Sequence, residues 1–190
     1  MDNVTVGFAL TGSFCTFTKV IPQIERLINE GINIIPIMSE TAYTTDTRFG
    51  TAQSFIEKIE IITNKRVIHS VGESEPLGPK KITQAIIVAP CTGNTLAKIA
   101  NGISDGAVPM AAKSNLRNGN PLIIAISTND ALSTNAKNIG LLLNTKNVYL
   151  VPFGQDEPRS KPTSAAADMG RIYDTLKNAL KGKQIQPILI

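Results

Sequence analysis

Gln84-Ala85-Ile86-Ile87-Val88-Ala89 runs directly into Pro90-Cys91-Thr92-Gly93-Asn94-Thr95, and this junction decides the fold. The unbroken apolar character of residues 84–89 predicts a strand buried on both faces, as in the interior of a parallel sheet. The residues after it predict a Pro turn and then a helix over 92–101, with Leu96, Ile99 and Ala100 inward. A buried strand that feeds a helix through a short polar turn is half of a βαβ unit.

The same alternation extends in both directions. Towards the N-terminus, residues 4–10 predict a first strand and 18–30 a helix, with Val20, Ile21, Ile24, Leu27 and Ile28 on one face. Pro22 falls in its first turn and Gly31 stops it. A second strand follows over 33–38. Next come a helix over about 51–62, a brief third strand at Val67-Ile68, and a polar stretch over 72–79.

Towards the C-terminus, a helix over 106–118 ends at Gly119. Strands over 122–127 and 148–151 follow, with a helical segment over 135–143 between them. Residues 154–162 read as a loop. Residues 163–181 read as the last helix, with Met169, Ile172, Leu176, Ala179 and Leu180 at helical spacing. The pattern predicts an α/β domain over 1–190: a doubly wound parallel sheet with helices on both faces, a Rossmann-like three-layer sandwich. Such sheets bind ligands beyond the carboxyl ends of their strands.

Composition narrows the function classes. No apolar run approaches the ~20 residues of a membrane span, and Asp2 and Asn3 open the chain where a secretory signal would carry basic residues. Cys15 and Cys91 are too few for a disulfide framework, and no His or Cys cluster offers a metal site. They read as reduced, packed thiols of a cytoplasmic protein. The net charge of +4 is scattered along a chain without Trp, so it predicts attraction for small anions and no nucleic-acid face.

Three turns at the predicted carboxyl edge offer ligand groups. After the first strand, Thr11, Gly12, Ser13 and Thr16 combine a permissive backbone with hydroxyls. After the second, Ser39 and Thr41 add two more. After the buried strand, Pro90 makes the turn, and Thr92, Asn94 and Thr95 place neutral donors and acceptors at a helix start. Each turn also reads as plain helix capping by Ser or Thr.

Pro90–Thr95 resembles the Pro-Ala-Ser-Ala-Asn-Thr motif of the homo-oligomeric FMN-containing cysteine decarboxylases, and residues 96–105 resemble their following helix. With the Thr11-Gly12-Ser13 turn the similarity covers residues 4–130. It implies an FMN site with roles for Thr11, Gly12, Ser13, Ser39, Pro90, Thr92, Asn94 and Thr95. Asn94 also implies substrate contact, and so does Asn129, which keeps the Asn of a later Pro-Ala-Met-Asn motif. Pro76 stands where those enzymes carry a catalytic His, and the chain's one histidine, His69, is seven residues earlier. His69 reads as a partly buried structural residue.

The runs Met110-Ala111-Ala112-Lys113, Ser127-Thr128-Asn129-Asp130-Ala131-Leu132, Val151-Pro152-Phe153-Gly154-Gln155-Asp156 and Gln184-Ile185-Gln186-Pro187 resemble a narrower family, the B subunits of dipicolinate synthases. This resemblance covers nearly the whole chain. It implies an oxidoreductase complex with an NAD(P)-dependent dipicolinate synthase A subunit, a small dicarboxylate substrate, and pyridine-2,6-dicarboxylate as the sporulation product. Lys98, Lys113 and Arg117 are the nearest candidate cations for that dianion, although each also reads as a solvated helix charge. The alternatives are a stand-alone FMN-dependent decarboxylase or flavin prenyltransferase, and a non-catalytic stabilising subunit. The family implies a homo-oligomer, a trimer or multiples of it, with Val108, Met110, Leu116, Leu141 and Leu142 as apolar surface candidates.

Overall fold

The computed structural model describes residues 4–190; the reading of Asp2 and Asn3 lies outside them. The chain forms β1 (Thr5–Leu10), a 3-10 turn (Phe14–Thr16), α1 (Phe17–Asn29), β2 (Asn33–Met38), α2 (Glu40–Thr44), α3 (Ala52–Thr63) and α4 (Val71–Ser74). Then follow β3 (Ala85–Cys91), α5 (Gly93–Ala100), α6 (Ala107–Arg117), β4 (Leu122–Thr128) and α7 (Ala136–Leu143). The last elements are β5 (Val148–Leu150), β6 (Phe153–Gln155), β7 (Ala165–Ala167) and α8 (Ile172–Ala179).

The sheet is Rossmann-like and mixed. Strands β2, β1, β3, β4 and β5 are parallel neighbours in that order. All seven residues of β3 are buried, as the apolar run required. Helix α1 packs with α3 and α8, and α6 with α4 and α5, so helices cover both faces. Order reverses between β1 and β3, which opens a crevice where their following turns diverge.

Besides the short helices at Glu40–Thr44, Val71–Ser74 and Glu75–Leu77, which the sequence pattern does not predict, the structure departs from the sequence reading in four places. Val67-Ile68 makes only an isolated bridge, Ile37 to Ile68, with no strand built around it. Helix α1 starts at Phe17, after its 3-10 turn, so Pro22 lies inside the helix. Pro22 removes the bond that would reach back to Thr18, and both residues are exposed, where water can serve the freed carbonyl.

The third and fourth departures are linked. Ala165, Ala166 and Ala167, helical by their sequence pattern, form β7, antiparallel to both β4 and β6. Pairing on two sides overrides the helix preference of alanine. The hairpin partner β6 takes Gly154 and Gln155 out of the expected loop. The last helix therefore begins only at Ile172, after a 3-10 turn capped by Asp168, whose carboxylate accepts from the Gly170 N–H at 3.0 Å.

Candidate functional site

Thr11 fixes the crevice floor. It is fully buried; its hydroxyl donates to the Pro90 carbonyl at 2.7 Å and accepts from the Thr92 N–H at 2.9 Å. One side chain thus clamps the turn after β1 to the turn after β3. Thr11 and Pro90 line neither cavity described next, because both sit beneath them. Their part is to hold the floor.

Two cavities of about 550 and 260 Å³ flank that floor, and Gly12 and Thr92 line both. Of the tight or left-handed geometries that Gly12 permits, it does not use the left-handed one. Its need is space: a Cβ there would come within 3.1 Å of the Thr41 methyl.

The larger cavity takes Ser13, Cys15, Thr16 and Lys19 from the β1 side, and Ser127, Thr128 and Asn129 from the end of β4. The β6–β7 hairpin closes it with Asp156, Glu157, Lys161 and Ala165–Ala167. Lys161 is held 3.7 Å from Asp156 and 3.4 Å from Glu157. The Ser160 hydroxyl and then Lys161 hold the Glu157 carboxyl below its usual range. No carboxylate pairs with Lys19 among the described residues.

Ser39, Glu40, Thr41, Asn94, Thr95, Lys98 and Asp105 line the smaller cavity. Ser39 caps α2, accepting from the Ala42 N–H at 3.2 Å. Thr92 caps α5 through the Thr95 N–H at 3.4 Å. The capping readings and the site readings are therefore compatible, since both caps keep a cavity-facing position. Lys98 sits 2.9 Å from Asp105 and holds that carboxyl below its usual range.

The expected residues are thus brought to one edge but divided. Ser13 and Asn129 share the larger cavity, while Ser39, Asn94 and Thr95 share the smaller. The two asparagines expected to meet substrate line adjoining spaces. Lys113 and Arg117 line a separate small cavity with Glu75 and Ser114. The sequence reading passes over Ser127, Lys19 and the hairpin residues. A lone hydroxyl closing an apolar strand is the available signal for Ser127.

Gly93 is missed in the same way. Thr128 and Asn135 donate to the two oxygens of Asp130 at 2.6 and 2.8 Å, and Asn138 donates to Asn135 at 2.8 Å. Asn101 closes the chain onto Asn138 at 3.2 Å. This polar ladder ties the β4 turn to α5 and α7, and Gly93 lies flat against it. The two thiols differ: Cys91 is buried, which pushes its thiol up, while Cys15 is exposed in the larger cavity instead of packed.

His69 and Pro76 lie outside both cavities. His69 is exposed, not partly buried as expected; its ring stacks on Tyr43 at 3.9 Å and approaches Glu73 at 3.5 Å. Among the described residues no group of three or more His, Cys, Asp or Glu gathers as a metal site, and no helix is long and apolar enough to cross a membrane.

A family model described as Flavoprotein matches residues 1–181. The chain belongs to the flavoprotein family. Within it, this chain is 45% identical over 185 residues to the dipicolinate synthase B subunit of Bacillus subtilis (strain 168), covering 97% of this chain and 92% of that one. The crystal structure of the dipicolinate synthase B subunit from Bacillus halodurans C superposes with a TM-score of 0.92 at 46% identity, covering 100% of this chain and 97% of that one. The FMN-dependent cysteine decarboxylase SpaF shares the fold, with a TM-score of 0.69 at 22% identity over 93% of this chain and 97% of its own.

Proposed function

We propose that this flavoprotein family member acts as a dipicolinate synthase B subunit in the cytoplasm, as a single domain that holds FMN in the paired cavities. With an NAD(P)-dependent A subunit it forms pyridine-2,6-dicarboxylate during sporulation. The 45% identity to the Bacillus subtilis protein carries this reading.

The donor chemistry fits the cofactor. A flavin mononucleotide presents a phosphate, a hydroxylated chain and a flat ring with polar edges. The two cavities, within the usual range of ligand sites taken together, offer the Ser13, Ser39, Thr92 and Thr95 hydroxyls, the Asn94 amide and a glycine floor. Ser13 and Ser39 are assigned to the phosphate and ribityl chain, Asn94 and Asn129 to substrate. Bound flavin would supply a two-electron acceptor. For a dicarboxylate, Lys19 is the cavity cation with no carboxylate partner among the described residues; Lys98 and Lys161 already serve carboxylates.

The test combines this chain, the A subunit and a cyclic dihydro-dicarboxylate, and follows the ultraviolet absorbance of the aromatic product. Product formation should depend on this chain; an equal rate without it rejects the role. Incubated alone with a cysteine-type thiol substrate, the chain should release no carbon dioxide, because Pro76 stands at the expected His position and neither it nor His69 lines either of the two cavities. Stoichiometric release would favour the stand-alone decarboxylase.

Self-association belongs to the same reading. Val108 and Leu142 are buried and drop out as surface candidates, while Leu141 is exposed beside Leu143, with Ile103 and Leu132 also exposed. An apolar surface of this kind is better covered than wet. Light scattering should give a mass several times 20.3 kDa with and without FMN. A clean monomer in both conditions argues for obligate pairing with the A subunit instead.

A further inference from the structure

His69, the chain's one histidine, lies outside both cavities, and the function proposed above leaves it without a task. Its imidazole is nevertheless fixed from several sides. Ile68, the residue before it, is stitched to the end of β2. The Met38 N–H donates to the Ile68 carbonyl at 2.8 Å, and the Ile68 N–H to the Pro36 carbonyl at 2.9 Å. The backbone N–H groups of His69 and Ser70 donate to one oxygen of Glu73 at 3.2 and 3.0 Å. The ring nitrogen Nδ1 lies 3.5 Å from that same oxygen. The Ser70 hydroxyl, and after it the His69 N–H, hold the Glu73 carboxyl below its usual range, which keeps it an ionised acceptor.

The ring so held stacks on Tyr43, with centroids 3.9 Å apart and planes 4° from parallel. Tyr43 belongs to α2, a helix of five residues. A helix that short does not sustain itself, because nucleation costs more than its few hydrogen bonds return. Its place must come from anchors. On the inner side Thr41 packs against the turn after β1, where a Cβ at Gly12 would come within 3.1 Å of the Thr41 methyl. Ala42 is buried. On the outer side the support is the His69 ring.

Helix α2 carries cavity groups on one side and the stack on the other. Ser39, Glu40 and Thr41 line the smaller cavity, and Tyr43 does not. Any drift of α2 away from the β1 turn therefore widens that cavity and withdraws the Ser39 and Thr41 hydroxyls. A flat ring pinned to the main chain opposes such drift without touching the ligand.

We propose that His69 is a positioning residue for the smaller cavity: its ring is a fixed platform that holds α2 through Tyr43 and so sets the placement of Ser39 and Thr41. The platform stands on the stacking geometry. That FMN feels it rests on the function proposed above.

The full-length chain is compared with His69→Ala and Tyr43→Leu, which remove one ring of the pair, and with His69→Phe and Tyr43→Phe, which keep both. Thermal melting verifies folding. Hydrogen exchange read by mass spectrometry follows residues 39–45, where the Ala42, Tyr43 and Thr45 N–H groups are bonded within α2 and its cap, with α8 as the reference. An aromatic pair corresponds to about two- to tenfold in an equilibrium. Exchange over 39–45 should quicken by that factor in the two ring-removing variants, with α8 unchanged, and stay near wild type in the ring-keeping ones. FMN affinity should fall by a comparable factor in the same two variants, since binding must first draw α2 back.

Unchanged exchange in folded His69→Ala overturns the platform. So does His69→Phe exchanging as fast as His69→Ala, which assigns the effect to the Glu73 contact instead of the ring. Faster exchange with unaltered FMN affinity reduces His69 to a structural prop and rejects the positioning role. Wild-type protein that binds no FMN sinks the cofactor assignment above, and the platform then stands or falls on the exchange pattern alone.

Discussion

Gly93→Ala should destabilise the protein by about 3 kcal/mol, the sum expected for overpacking and one broken buried hydrogen bond. A Cβ at this position would lie 2.5 Å from both Asn135 Nδ2 and Asp130 Oδ1, and 2.8 Å from Thr128 Oγ1. None of the three can retreat freely. Asp130 accepts from the other two, and Asn135 is only 4% exposed. Relief must come from moving the N-terminus of α5 or from breaking the ladder. For a chain of this length the melting temperature should fall by about 6–12 °C. Gly140→Ala on α7 is the control, since nothing lies within 4 Å of its added methyl; it should be neutral or stabilise by about 0.4–1 kcal/mol. Equal melting of the two variants would show that the ladder yields, and the close-packing account would fail.

Ser13→Asp should lower FMN affinity by about two orders of magnitude. Two unit charges 4 Å apart repel by about 4 kcal/mol at an effective dielectric of 20, before screening and side-chain rotation reduce it. The new carboxylate would also take for itself the protons of Thr16 and Ser127, whose oxygens lie 3.2 and 2.9 Å from the native serine oxygen. Riboflavin, which lacks the phosphate, should lose far less. Fluorescence titration of both flavins reads the difference directly. Undiminished FMN binding in the folded variant would remove the phosphate from this turn.

The parallel core was legible because burial leaves a strong mark on sequence. An apolar run such as Ile86–Ile87–Val88 has few alternatives, and the helices between strands carry their inward faces at regular spacing. The hairpin was not legible. Three alanines carry no strand signature, and their conformation comes from partners at Ser127, Thr128 and Phe153–Gln155, distant in the chain from the first strands. The site divided along the same line. Turns that follow strands announced Ser13, Ser39 and Asn94, whereas Ser127 and Lys161 enter the cavity through tertiary pairing. Thr11 shows a subtler limit: its chemistry was visible, but its commitment to the Pro90 and Thr92 backbone was not.

Strand β4 serves two masters along its length. Leu122, Ile123 and Ile124 pair with β5, while Ser127 and Thr128 pair with β7. The five parallel strands are complete by residue 150, but the outer wall of the larger cavity waits for residues 153–167. During synthesis from the N-terminus the parallel strands can therefore pair before that wall emerges, and α8 closes one face of the core last. Mutational tolerance should divide along this seam. Changes at the exposed positions 157–162 can reshape what the cavity accepts while leaving the foundation standing, whereas Phe153, Ala165 and Ala167 are buried in the core and should tolerate little.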